Sequence, residues 1–227
     1  MLVTAIMPTA DRRAYAGRAI TAFQRQTHAE RELLILDSGR DAVADLIPPD
    51  PRIRYWRDDA REIGVARSAP TVGAARNTLC ARAAGAIIVH WDDDDWHGPT
   101  RLADQAAGLA GARADIGGMA TVPFLSDDGT AAWDYVWAAA KPWVYGGSFA
   151  YTRAFWARCP FADVQIGEDT DFVLNNPGRV LAFPDAHWFI ARVHHGNTAA
   201  KNTGGAHWVP RDPAPLLARI AANGGGW

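Results

Sequence analysis

The sequence predicts an α/β domain, an α/β/α sandwich around a mixed, mostly parallel sheet. Two observations carry this. Short apolar runs alternate with helical patterns through the first hundred residues, as expected for strands joined by crossover helices. The longest acidic run, Asp92 to Asp95, follows directly on a buried apolar stretch. It therefore sits at the carboxyl end of a strand, the edge at which open α/β sheets bind ligands.

Leu2 to Met7 reads as the first strand, closed by Pro8 and Thr9. From Tyr15 to Thr27, Tyr15, Ala19, Ala22 and Phe23 recur at helical spacing. Leu33 to Leu36 is a second buried strand running into Asp37, Ser38 and Gly39, and Arg52 to Trp56 a short third one. Gly73 to Ala84 is rich in good helix formers and is stopped by Gly85, after which Ala86 to Trp91 is an apolar strand. The second half carries more Trp, Gly and Pro and predicts a mixed sheet with loops closing over the first half. Asp127, Asp128 and Gly129 mark a hairpin tip. Thr170 to Asn175 is a short helix, Val180 to Phe183 and Trp188 to Val193 are strands, and Pro213 to Ala222 is a last helix before an "NGGGW" tail expected to fray. A chain of 227 residues supports one core, so residues 1–227 are read as a single domain: a half at 1–100, a second half at 101–212, and a helix and tail at 213–227.

A net charge of -2 with pI near 6.4 offers no footprint for nucleic acid or an anionic membrane. Cys80 and Cys159 lie far apart with no CxxC pair, which fits two buried thiols in a reducing compartment. The "MLVTAIMPTADRR" opening is too short in apolar residues for a signal peptide, and no stretch reaches the roughly 18 residues a membrane span needs. These features read as cytoplasmic, with membrane association peripheral at most.

Four adjacent carboxylates are costly unless something neutralises them. One reading is a solvated acidic loop. The other is a divalent-cation site, because Mg²⁺ and Mn²⁺ take hard oxygen ligands and use one or two carboxylates together with substrate phosphates. Alternate members such as Asp92 and Asp94 then bracket one diphosphate-bound metal.

The stretch "VGAARNTLCARAAGAIIVHWDDDDWHGPTRL" resembles the core of the family 2 inverting glycosyltransferases, whose GT-A fold is Rossmann-related. The shared features are the helix segment Ala74 to Asn77, Gly85, the strand Ile87 to Val89, the DxD-type run Asp92 to Asp95, Pro99 and Leu102. "VTAIMPTADR", "ELLILDSGRD", "GEDTDF" and "ARVHHGNT" extend the similarity in order over roughly residues 2–198. One departure is Ser38, where family members often carry a second Asp after Asp37.

The resemblance implies a metal-dependent transfer of a sugar from a nucleoside diphosphate, UDP by preference, to an acceptor hydroxyl on a saccharide, lipid, protein or small molecule. It makes residues 1–100 the nucleotide-binding half and 101–212 the acceptor side. It puts Pro8, Thr9 and Asp11 of the first loop and Asp37 of the second at the nucleotide, although Asp11 is equally suited to cap the helix that follows. Asp94 and Asp92 become ligands of Mn²⁺ or Mg²⁺, Asp93 faces the ribose or sugar, and Asp95 fixes the turn. His194 completes the metal shell or contacts the diphosphate; of two adjacent histidines on alternating faces, one points inward. Asp169 is the catalytic base and Glu168 orients acceptor or sugar hydroxyls, both at a helix start that stabilises carboxylates. Arg76 reaches the nucleoside or diphosphate or pairs with the acidic run, Asn77 braces loops, and Arg192 and Asn197 hold the donor or order their loop. In "YGGSF", Gly147 and Ser148 let backbone approach the donor sugar. Among ten Trp, those at 96, 133, 137, 143 and 208 fall in or near predicted loops, where aromatic faces stack on sugars; for each alone a core position is the default.

Two rival classes use the same residues. A metal-dependent nucleotidyl or phosphoryl transferase also needs clustered carboxylates, but neither a Walker A loop nor a kinase-type loop is present. A module that binds nucleotide-sugar without turnover is the other, and it leaves Asp169 without a task.

Overall fold

The computed structural model describes residues 1–58, 69–137, 141–184 and 187–227. In chain order the strands and helices of the first half are β1 Val3–Thr9, α1 Arg13–Gln24, β2 Arg31–Asp37, β3 Ile53–Arg57, α2 Val72–Arg82 and β4 Ile87–His90. Then come β5 Trp96–His97, α3 Arg101–Ala112, β6 Ile116–Gly118, β7 Thr121–Ser126, β8 Ala132–Val136, β9 Ala150–Thr152 and α4 Arg153–Arg158. The chain continues through α5 Glu168–Leu174, β10 Val180–Ala182, β11 Phe189–Val193, β12 Trp208–Arg211 and α6 Ala214–Ala222.

Seven strands make a mixed, mostly parallel sheet in the order β10-β6-β9-β4-β1-β2-β3, with β9 antiparallel to both its neighbours. Side chains alternate across β1. Val3, Ala5 and Met7 pack with Ala16, Ala19, Ile20 and Phe23 of α1 and with α3, while Ile6 meets Ala75 and Leu79 of α2 on the other face. The α/β/α layering therefore follows from two helical stripes covering a sheet that is apolar on both sides. The strand order reverses at β1, which pairs with β2 on one side and β4 on the other. Their carboxyl ends open a crevice between the loop after Thr9 and the run after His90.

A second sheet, β12-β8-β7-β11-β5, was not legible as a separate layer. Its short strand β5 comes directly after the acidic run and pairs antiparallel with β11, Phe189 opposite His97 and Ile190 opposite Trp96. That pairing fixes where the chain leaving β11 must go. It runs back past Asp95 and Asp94.

Element ends lie within three residues of the sequence reading, as expected where helices and strands fray. The buried stripe of α1 is Ala16, Ala19, Ile20 and Phe23, and Tyr15 lies outside it, against the His194 ring at 4.8 Å. The hairpin tip stands at Asp127–Gly129, Gly129 taking φ 72°. The tail does not fray. Trp227 donates from Nε1 to the Ser126 carbonyl (2.7 Å) and lies under the Arg192 guanidinium, 3.7 Å from ring centre to carbon. Both cysteines are free, Cys80 buried and Cys159 half-buried. Among the described residues no helix is long and apolar enough to cross a membrane.

Candidate active site

The crevice is a cleft of about 950 Å³. One wall comes from the ends of the parallel strands, with Pro8, Thr9, Arg12, Ser38 and Arg76; the floor holds Asp92 to Asp95. The far side carries Glu168 and Asp169 together with the aromatic faces of Tyr135, Trp143, Tyr145 and Trp208.

The acidic turn is held from behind by cations and amides. Beneath it lies Arg101, 0% exposed, with no carboxylate partner among the described residues. Arg101 donates to the carbonyls of His90 and Gly147 (2.8 Å each) and meets His97 Nδ1 at 2.5 Å, while His97 Nε2 reaches the Asp92 carbonyl at 2.8 Å. Burial pulls this guanidinium down to about 9, and the charges of Asp95 and Asp92 pull the other way. Arg192 braces the opposite flank. Its amide donates to Asp95 Oδ1 and its Nε to the Asp94 carbonyl, both at 2.9 Å.

Asp94 is where most groups converge. His194 Nε2 lies 2.9 Å from Asp94 Oδ2, Asn197 Nδ2 lies 3.5 Å from the same oxygen, and Arg12 Nη1 donates to it. Burial opposes its charge, but the His194 contact and Arg12 hold the carboxyl below the usual carboxylate range. Asp93 behaves the opposite way: burial, then the Asp94 charge, push it up to about 7. It accepts from Thr9 Oγ1 (2.5 Å) and Arg12 Nη1 (3.3 Å), turned toward the first loop rather than outward to a ribose. Asp92, the most open of the three, lies 3.3 Å from Arg76 Nη2.

Across the cleft, α5 begins at Gly167, whose φ of 89° turns the chain so that Glu168 and Asp169 start the helix. Glu168 is buried and ion-paired to Arg76, so it steadies the wall and is not presented to an acceptor hydroxyl. Arg76 is thereby a bridge between Glu168 and Asp92. Asp169 keeps Oδ1 on the Thr170 amide (2.7 Å) and presses Oδ2 against Gly146, where an added Cβ would sit 2.0 Å away. On Gly147 a Cβ would meet Asp95 Oδ2 at 3.0 Å and Asp92 Oδ2 at 3.1 Å. Two successive glycines thus separate the acidic turn from Asp169 by little more than backbone. Ser148 does not join them, being fully buried with its hydroxyl on the Tyr145 carbonyl. Asn77 braces the loop leading to α5, through the Phe161 carbonyl (2.8 Å) and amide (3.0 Å) and Trp156 Nε1 (2.9 Å).

Three residues expected at the nucleotide stand elsewhere. Asp37 is 0% exposed, and its carboxylate accepts from the amides of Gly39 and Val43, from Tyr55 and from Arg57. It ties β2 to β3 and the following loop, and its neighbour Ser38 takes the place on the cleft wall. Asp11 neither caps α1 nor lines the cleft; at φ 55° it accepts from the amides of Arg40 and Asp41, joining the two loops. Arg192, 4% exposed, points behind the acidic turn to Asp127 (2.7 Å) and Trp227, so it orders its loop. The expectation that one histidine of the pair turns inward is met: the His194 side chain is 2% exposed and His195 is exposed.

Arg12 was missed. It reaches Asp93, Asp94, the Gly196 carbonyl and Thr198 at once. The available signal was its place in the loop after β1, beside the strand that ends in the acidic run.

A mostly parallel sheet with a switch-point crevice, an acidic run on its floor and a carboxylate opposite defines the GT-A class of glycosyltransferase folds. The chain belongs to glycosyltransferase family 2: the family model "Glycosyl transferase family 2" matches residues 4–157. No curated protein matches the sequence. Among solved structures, S. aureus TarS 1-349 in complex with UDP-GlcNAc has a TM-score of 0.67 at 16% identity, covering 87% of this chain and 60% of that one. The mannosyltransferase PcManGT from Pyrobaculum calidifontis, in complex with GDP-Man and Mn2+, has a TM-score of 0.63 at 18% identity, covering 86% of this chain and 58% of that one. This chain therefore spans about three fifths of the length of each of those two chains, and 37% of the longer S. aureus TarS chain.

Proposed function

We propose that the chain transfers a sugar from a nucleoside diphosphate, UDP by preference, to an acceptor hydroxyl with inversion at the anomeric carbon. The observation that carries this reading is the pair of carboxylate centres, Asp92–Asp94 and Asp169, facing each other across Gly146 and Gly147 in one cleft. On this reading residues 1–100 carry the donor and the second half of the chain the acceptor, and the aromatic wall of Tyr135, Trp143, Tyr145 and Trp208 belongs to the acceptor side.

Asp169 is the general base. It takes the proton of the acceptor hydroxyl as that oxygen bonds to the anomeric carbon and the bond from that carbon to the diphosphate oxygen breaks. The Thr170 amide on Oδ1 and the close backbone at Gly146 keep the carboxylate in one orientation. Arg76 and Glu168 hold Asp92 in place from the side.

The donor set suits a divalent cation that shares its shell with substrate. Among the described residues no three His, Cys, Asp or Glu side chains stand together so as to hold a metal ion by themselves. Asp94 Oδ2 and His194 Nε2 converge to 2.9 Å, however, and Arg12 already brings a positive charge to that carboxylate. Asp94, with His194 or Asp92 as a second ligand, would hold Mn²⁺ or Mg²⁺ together with diphosphate oxygens of the donor. When bound, the cation neutralises the charge of the departing diphosphate.

A thermal-shift panel of UDP-GlcNAc, UDP-Glc, UDP-Gal and GDP-Man with and without Mn²⁺ tests the reading. Stabilisation by a UDP-sugar that grows with Mn²⁺ is the expected result. Indifference to every nucleotide-sugar, at any metal concentration, would sink it.

A further inference from the structure

Arg12 stands immediately before α1. It follows a strand end on the cleft wall, and its fork is divided between two jobs. Nη1 serves Asp94 Oδ2 and Asp93 Oδ1, and Nη2 serves the Gly196 carbonyl (2.7 Å) and Thr198 Oγ1 (3.1 Å). Burial works against the charge on Arg12, and the pull of Asp93, Asp94 and Asp92 outweighs it. One side chain therefore ties the acidic turn to the loop at residues 196–198, itself more than 180 positions along the chain from Arg12.

Two further contacts set that loop. The Gly196 amide donates to His194 Nδ1 (3.2 Å), which leaves Nε2 as the nitrogen that donates to Asp94 Oδ2. The His194 amide is held by Asn197 Oδ1 at 2.9 Å. With this arrangement Nε2 has no lone pair to offer a metal, and Asp94 Oδ2 already takes Arg12, His194 and Asn197. Both proposed ligands are thus engaged by the same closed loop.

We infer that Arg12 is a resident cation of this cleft that competes with the divalent metal for Asp94, and that its departure from Asp94 releases the loop at 196–198, so that the Gly196 amide leaves His194 Nδ1, the ring proton moves from Nε2 to Nδ1 by exchange with solvent, and Nε2 gains the lone pair a metal needs. This deepens the metal-dependent reading given above and rests on it. Arg12 keeps the buried carboxylates from repelling one another while the donor is absent, and it sets the metal affinity of the empty cleft low. Asp93 keeps its Thr9 hydroxyl through the exchange, so the turn retains one anchor.

The test titrates Mn²⁺ alone, by calorimetry, into the wild type, Arg12→Met and Arg12→Lys, and follows hydrogen exchange at the amides of residues 196–198. Arg12→Met is expected to bind Mn²⁺ on the order of tenfold tighter, since a charged hydrogen-bonded competitor is gone. Its 196–198 amides exchange faster than in the wild type and no longer respond to Mn²⁺, whereas the wild-type amides speed up when Mn²⁺ is added. Lys keeps the charge without the fork and falls between, which keeps the inference open to test should the Met variant fold poorly. Mn²⁺ binding by the wild type with equal or weaker affinity in Arg12→Met overturns the resident-cation role alone. No Mn²⁺ binding by any of the three proteins, with transfer still running in EDTA, overturns the metal reading and this role together.

Discussion

At Asp169 two features favour catalysis over capping. The N-cap position belongs to Gly167, and only one carboxylate oxygen is spent on a helix amide, that of Thr170. Asp169→Asn keeps the shape and that hydrogen bond but cannot take a proton. Transfer should fall by about 10²- to 10⁴-fold while donor and Mn²⁺ affinity hold, read by steady-state rates beside calorimetry. A near-normal rate would return Asp169 to a structural role. His194 is a harder case, because its ring is buried against Tyr15 as well as aimed at Asp94. His194→Ala should weaken Mn²⁺-dependent UDP binding by more than its melting temperature would account for; a collapse in melting temperature with metal affinity intact means the ring only packs. Asp37 and Asp11 leave the cleft, and Arg192 takes the loop-ordering one of its two expected roles, for one reason. A position in a motif does not say whether a side chain turns into a cleft or back into a loop; that depends on which backbone groups lie within reach, amides for Asp37 and Asp11 and the Asp94 carbonyl for Arg192.

Among the elements, the Gly146–Gly147 segment is the tightest fit. A Cβ on Gly146 would land 2.0 Å from Asp169 Oδ2, with Asp169 Cβ also only 2.6 Å away, so neither side can give without moving α5 or the glycine backbone. Gly146→Ala should cost about 1–3 kcal/mol, the range for overpacking, and lower transfer through a displaced Asp169. Chemical denaturation and rate measurements on the same variant check it, and wild-type stability together with wild-type rate would show that the contact is soft. The strands β1, β2 and β4 and the helix α2 were readable because each lies in an unbroken run that is either apolar or rich in one propensity. β5 to β9 were not. They run from two to six residues, and Gly, Pro and Trp interrupt their patterns, so only pairing with distant strands makes them strands.

For the molecule as a whole, the acidic turn predicts a distinctive acid–base behaviour of stability. Burial, then the Asp94 charge, raise Asp93 from 3.8 to about 7, so between those values the folded chain keeps a proton that the unfolded chain has lost. The unfolded state then binds fewer protons, and stability contributed by this group is full below about 4 and is lost as pH rises through about 7. In EDTA the melting temperature should decline from pH 5 to pH 8, and Asp93→Asn should flatten that decline. An identical slope in the variant assigns it to other groups.

The sequence by itself determined the α/β/α layering, the switch-point edge and the acidic run on it, because these follow from local hydrophobic periodicity and from strand ends that can be read within a few residues. It also set Asp94, His194 and Asp169 apart as candidates. Only the tertiary structure decided what faces what. The β5–β11 pairing carries His194 to Asp94, the sheet reversal carries Arg12 to the same carboxylate, and Trp227 docks under Arg192 where the tail alone reads as frayed. These contacts join residues about 80 or more positions apart or, for Trp227, 35 apart through a packed cation, and no local pattern encodes them. They exist because burying charge is favourable only where a partner from elsewhere in the fold meets it.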